Sequence, residues 1–291
     1  MSVVSPRLVV LALTAALLLA GCGHEGDGRH VTRDPDAPAQ YVALGDSYTS
    51  APGVPHITDP RCYRSTRNYP SLVADELDLT LTDVSCGGAA TTAFIEEQQT
   101  PNGTVPPQFE ALTDQTELVT VGIGGNDYGL FGELLAACLG LEGDGSPCRD
   151  RMNEGGSDKV LDTIDVIQGR LVDALEGVKK RAPNAEVVLV GYPQLAPERV
   201  RCEALPLSPG DYGYFHEVFV ALGAATEQAA EDADVRYADV LTASEGHDIC
   251  AGEDAWINGN SEDPARPASP MHPFAEEQEA VADLVVAAVD E

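Results

Sequence analysis

Three short apolar runs constrain this chain more than any other feature. Residues 41–44 read Tyr-Val-Ala-Leu and stop at Gly45; residues 118–123 read Leu-Val-Thr-Val-Gly-Ile and stop at Gly124 and Gly125. Residues 186–191 read Glu-Val-Val-Leu-Val-Gly and stop at Tyr192 and Pro193. Runs this short, β-branched and nearly continuous suit strands buried on both faces of a parallel sheet. Weaker runs at 79–84 and 235–238 add two strand candidates. Between them the apolar spacing turns helical, at 69–77, 107–113, 158–181, 211–231 and 273–289. The last pattern puts Pro273 at a first helical position and Ala280, Leu284, Val285 and Ala288 on one face. Strand–helix alternation predicts an α/β sandwich around a mostly parallel sheet. Ligands of such sheets bind beyond the carboxyl ends of the strands, so the residues that close each run matter most.

Composition narrows the partners. Hydrophobic residues make up 43% of the 291, enough for a real core, which excludes a disordered acidic tail. Seventeen Lys and Arg against 48 Asp and Glu leave −31 at pH 7. Nucleic-acid binding needs clustered cations to displace counterions, and the one adjacent lysine pair, Lys179-Lys180, falls in a helical pattern. No nucleic-acid partner is expected, and no repeat divides the chain. Seven cysteines leave one over after pairing.

The N-terminus has the layout of an export signal. Arg7 precedes an uncharged aliphatic run at 8–20. As a helix that run spans roughly 20 Å, short of the ~30 Å of a bilayer's hydrocarbon. It ends in Leu19-Ala20-Gly21-Cys22, which resembles the bacterial lipobox, where cleavage precedes a lipid-modified cysteine. The segment that follows is polar and broken by Gly, Asp and Pro, with solvated His24 and His30, and reads as a flexible tether. The expected organisation is a signal peptide at 1–21, a tether at 22–39 starting from lipidated Cys22, and one domain at 40–291.

Four separated motifs sit where the strands end. Gly45-Asp46-Ser47 follows the first strand, where a turn can expose a serine hydroxyl near backbone N–H groups; an N-cap is the plainer reading. Cys86-Gly87-Gly88-Ala89 allows close backbone approach to a ligand, or merely a tight turn. Gly124-Gly125-Asn126-Asp127 strips side chains away and offers the Asn126 amide, and again a turn is the alternative. His272-Pro273 places a histidine before the final helical pattern, where it can act as a general base or simply pack.

Taken together, these blocks resemble the SGNH, or GDSL-type, hydrolases, in family order and over nearly all of 40–291. The resemblance implies a flavodoxin-like three-layer α/β/α sandwich with a five-stranded sheet and no cofactor. It implies Ser47 as nucleophile, with the Ser47 N–H, the Gly88 N–H and the Asn126 side chain as oxyanion donors. His272 would be the base, and Gln278 matches the usual continuation of its block. The family commonly carries Asp three residues before that histidine, where this chain has Ser269. A secreted actinobacterial esterase and lipase branch uses instead a backbone carbonyl two residues before it, here that of Pro270. Asp263 and Asp248 are the rival orienters. Phe274 replaces a usual Asn, and Ala51 stands where Gly is common.

Six cysteines of the domain allow 15 pairings. Resemblance to the same branch implies Cys62–Cys86, Cys138–Cys148 and Cys202–Cys250. Zinc on His247, Asp248 and Cys250 is rejected, because the spacing is irregular and export favours disulfides; no metal is expected. His56 and His216 carry no motif. Trp256-Ile257-Asn258-Gly259 either packs as a loop or touches substrate near the entrance, and Tyr48 either lines an acyl pocket or packs behind the turn. The expected protein is a monomeric serine esterase or lipase, held on the outer face of the bacterial membrane and cleaving small-molecule or lipid esters through an acyl-enzyme. The alternative is a non-catalytic envelope lipoprotein that binds ligand on a hydrolase fold. Losing Arg7 with the leader takes the charge from −31 to −32, so the acidity belongs to the mature protein.

Overall fold

The structure, a computed structural model, describes Met1 and residues 38–141, 143–153, 155–259 and 264–290. The leader, Cys22, the tether through residue 37, and Asp263 lie outside these residues. Strand β1 (Gln40–Gly45) leads into a single turn, α1 (Ser47–Ser50), then a small hairpin of β2 (Ile57–Asp59) and β3 (Arg64–Ser65). Helix α2 (Tyr69–Glu76) and strand β4 (Thr80–Asp83) precede a second hairpin, β5 (Gln98–Thr100) and β6 (Gly103–Val105). Strand β7 (Thr116–Gly122) is followed by α3 (Leu130–Cys138), α4 (Pro147–Met152), α5 (Lys159–Arg181) and β8 (Glu186–Val190). Helix α6 (Asp211–Asp232), β9 (Arg236–Ala238), α7 (Val240–Ala243) and α8 (Ala275–Asp290) complete the order.

The expected strands form one five-stranded sheet in the order β4-β1-β7-β8-β9. Its paired strands are parallel throughout. Alternate residues explain why these runs are apolar without a break. Val42, Leu44, Val119, Val121 and Leu189 enter the core under α3, α5 and α6. Tyr41, Ala43, Val188 and Val190 enter the other, under α2 and α8. Both faces are covered, so neither tolerates a polar stripe. Helix α5 shows how the sequence sets its own bounds. Asp158 caps it by accepting from the N–H groups of Val160 and Leu161, and Lys179, Lys180 and Arg181 occupy its last turn. Its stripe of Val160, Ile164, Ile167, Leu171, Leu175 and Val178 is buried.

Two helical expectations need correction. The final helix starts at Ala275, and Pro273 lies outside it, bridged in extended form to Ile257. A hydrogen-bond ladder captures the segment before it can coil. The 107–113 pattern forms only a 3₁₀ turn, Gln108–Ala111. There the buried Gln108 side chain takes both the N–H and the C=O of Gly45, at 2.8 and 2.9 Å, which fixes the end of β1. The three disulfides pair in chain order: Cys62–Cys86, Cys138–Cys148 and Cys202–Cys250.

Candidate active site

Numbered along the sheet alone, the strands run 2-1-3-4-5, so the connections reverse direction between β1 and β7. That reversal leaves a crevice at the carboxyl ends of those two strands. Ser47 and Asn126 stand there.

Gly45 has no room for a side chain: a Cβ would run into Thr49 and the Gly122 carbonyl. The close approach lets Asp46 donate its N–H to Gly122 at 2.9 Å and turn the chain at once into α1. Asp46 caps that turn, accepting from the Tyr48 N–H at 2.8 Å and from the Tyr192 hydroxyl at 2.6 Å. Complete burial pushes its carboxyl up to about 7, against the pull of those two bonds. Ser47 opens the turn, so its N–H is among those a helix leaves without an intrahelical acceptor. Ala51 ends it in the left-handed region, φ 56°, which accounts for the glycine usual at that position.

The second motif is stitched to the first. The Cys86 N–H donates to the Gly45 carbonyl at 3.0 Å, and the Gly87 N–H to the Cys62 carbonyl at 3.0 Å. Gly88 is exposed with φ +76°, a conformation that favours glycine. The third motif closes on both. Asn126 Nδ2 donates to the Ala89 carbonyl at 3.0 Å and reaches Asp46 Oδ2 at 3.4 Å. Asp127, buried, accepts from the Thr91 N–H and hydroxyl at 2.9 and 2.5 Å.

His272 completes the group. Its Nδ1 lies 2.8 Å from the Pro270 carbonyl. Burial lowers its pKa below the ordinary 6.5, and the Pro270 contact opposes that shift. The Trp256–Gly259 stretch buttresses this loop: the Asn258 N–H donates to the His272 carbonyl at 2.9 Å, and the Phe274 N–H to Trp256 at 2.7 Å. Tyr48 donates to the Met271 carbonyl at 2.9 Å, and its ring centroid stands 5.6 Å from that of His272. Gln278 bonds the Tyr48 carbonyl at 3.0 Å and the Tyr69 N–H at 2.8 Å, locking the final helix to both. Ser269 donates its N–H to Pro52 and supplies no carboxylate. Phe274 packs under Arg266, 4.1 Å from guanidinium to ring centroid.

Ser47, Asn126 and His272 share one cavity of about 240 Å³, whose walls include Phe131, Leu134, Leu135, Leu195 and Phe219. Tyr48 lines it and also packs behind the turn. Gly88, on the exposed turn, is not among the lining residues; its neighbour Ala89 joins that turn to the cavity by accepting from Asn126. Asp248 instead accepts from the Cys250 N–H at 2.7 Å, and Cys250 is bonded to Cys202. His216 contacts the Ala196 carbonyl and is not among the cavity's lining residues, and the His56 carbonyl accepts from the Thr66 N–H at 2.9 Å. Among the described residues no group of three His, Cys, Asp or Glu is arranged to hold a metal. Sequence reasoning missed Tyr192, whose hydroxyl also accepts from the Gly125 N–H at 2.8 Å and so ties the third motif to Asp46. Its one signal was its place closing the third apolar run.

Comparison with known proteins gives the family and the fold. The sequence profile described as the GDSL-like Lipase/Acylhydrolase family matches residues 43–279. The chain is 39% identical over 269 residues to Lipase 2 of Streptomyces coelicolor, covering 86% of this chain and 87% of that one. It is 31% identical over 251 residues to a lipase of Streptomyces rimosus, 85% of each chain. Its fold is similar to the crystal structure of phospholipase A1 from Streptomyces albidoflavus, with TM-score 0.71 and 29% identity over 87% of this chain and 100% of that one. An extracellular lipase from Streptomyces rimosus gives TM-score 0.71 at 29% identity, covering 86% and 99%.

Proposed function

The chain belongs to the GDSL-like lipase/acylhydrolase family of ester-hydrolysing enzymes, and from that premise we propose that Ser47 and His272 form its catalytic dyad. The observation that carries the reading is the shared cavity, with the Pro270 carbonyl 2.8 Å from His272 Nδ1. That contact favours the tautomer with hydrogen on Nδ1, which leaves the Nε2 lone pair for the serine proton. Ser47 Oγ attacks the ester carbonyl as Nε2 takes its proton. The oxyanion is met by the Ser47 N–H, the Gly88 N–H and Asn126 Nδ2. The intermediate expels the alcohol, which leaves with the proton from His272. Water then attacks the acyl-enzyme, with His272 again as base, and the acid departs from a regenerated Ser47. Apolar walls from α3 and Phe219 fit an aliphatic acyl chain. No cofactor enters any step.

The reading extends to location. Three disulfides belong to an oxidising compartment. Cleavage before Cys22 and acylation of that residue would tether the 40–291 domain, through 22–39, to the outer face of the membrane as a monomer. With a charge of −32 the mature protein is repelled by anionic lipid, so the acyl chains carry the attachment.

Hydrolysis of p-nitrophenyl esters of rising acyl length tests the chemistry. Wild type should turn over, while Ser47→Ala and His272→Ala fall to background; a Ser47→Ala rate equal to wild type overturns the dyad. For the anchor, Cys22→Ser should move the protein from the membrane fraction to the medium, and retention at the membrane would contradict it.

A further inference from the structure

We propose that Gln98, on the β5–β6 hairpin, is a positioning residue for the oxyanion hole, setting the direction of the Gly88 N–H; this rests on the site reading above. Gln98 Nε2 donates to the Gly87 carbonyl at 2.9 Å. That carbonyl and the Gly88 N–H belong to one peptide unit, and in a trans peptide the two point in opposite directions. Holding the carbonyl toward the hairpin therefore aims the Gly88 N–H away from it. Asn126 donates to the Ala89 carbonyl at 3.0 Å, which brings the turn beside the other donor. The Gly87 N–H is held by Cys62 at 3.0 Å, so the residue before Gly88 is fixed at both of its polar atoms. Gly88 itself, at φ +76°, has no side chain to steer it, and beyond its two chain neighbours Gln98 Nε2 is the nearest atom to where its Cβ would stand, at 3.9 Å.

The hairpin is built to keep Gln98 in place. Its register partner, Val105, is buried against Cys62 and Cys86. Asn102 at its tip donates to the Pro60 carbonyl at 2.8 Å. Gln98 Oε1 is buried with no hydrogen-bond partner among the described residues. A buried orphan acceptor is costly, and exchanging O for N would set two oxygens against each other at Gly87. The turn thus uses the donor end of the amide. Donation to the Gly87 carbonyl also polarises the peptide, strengthening the N–H on its far side.

Steady-state kinetics of the full chain with p-nitrophenyl butyrate test the assignment. Because the donor is displaced rather than deleted, Gln98→Leu should lower kcat about 10- to 100-fold with KM within about twofold. In Gln98→Glu only the protonated carboxyl can donate, so its kcat relative to wild type should fall as pH rises through the titration of that carboxyl. This isosteric variant decides the matter if Gln98→Leu does not fold. Wild-type kcat in Gln98→Leu, or a pH-independent ratio in Gln98→Glu, overturns the inference. Ser47→Ala in the same assay separates the two claims: wild type no faster than Ser47→Ala sinks the site reading, whereas an active wild type matched by Gln98→Leu sinks the Gln98 role alone.

Discussion

Asn126 uses both amide hydrogens before any substrate arrives, one at 3.0 Å to Ala89 and one at 3.4 Å to Asp46. The longer contact is the weaker, so in the proposed mechanism its hydrogen is the one given up to the oxyanion while the shorter bond holds the amide in place. His272 has the same economy, with a neutral carbonyl rather than a carboxylate against Nδ1. A carbonyl dipole fixes the tautomer and stabilises the imidazolium less than an anion does. Burial outweighs that carbonyl and lowers the imidazole pKa below 6.5. Catalysis requires the neutral base, which persists at pH values above that lowered pKa. The acid limb of the kcat/KM profile is therefore expected to bend below pH 6.5 and to flatten above it. A bend above 6.5 would contradict a lowered His272 as the group that sets this limb.

At the scale of elements, the Cys62–Cys86 bond is the brace of the second motif. It closes a separation of 24 residues, and Gly87 hangs from the Cys62 carbonyl. Replacing both cysteines with serine should cost about 3 kcal/mol of stability and lower kcat with KM little changed. Thermal melts and initial rates of the double variant check both halves; a lower Tm with wild-type kcat would confine the bond to stability. The strands were legible because burial on both faces leaves a continuous apolar run that admits few other readings. Pro273 misled because a proline fits a helix start and a bridged extended segment equally well, and the ladder to Ile257 joins residues far apart in the chain. Helix α3, which walls the cavity, escaped notice because it is short, follows Gly129 directly and has Gly132 within its first turn. The hairpins at 57–65 and 98–105 are too short and polar to stand out.

For the whole molecule, the sheet order decides which strand ends meet, and it brings together motifs lying 225 residues apart between Ser47 and His272. The blocks themselves were readable as glycine-flanked polar residues at strand ends. Their supports were not: Tyr192 reaches Asp46 across 146 positions and Gln108 reaches Gly45 across 63, with no local pattern to mark either pairing. The chain's acidity stays outside the chemistry, since the cavity walls are mainly apolar and the buried Asp46 caps a turn. The central claim is that one serine at the switch point carries the acyl group, and peptide mapping after reaction with a fluorophosphonate tests it most directly. A single adduct on Ser47, formed more slowly in His272→Ala, is the expected result. An adduct on another residue, or none on a protein that hydrolyses esters, would contradict it.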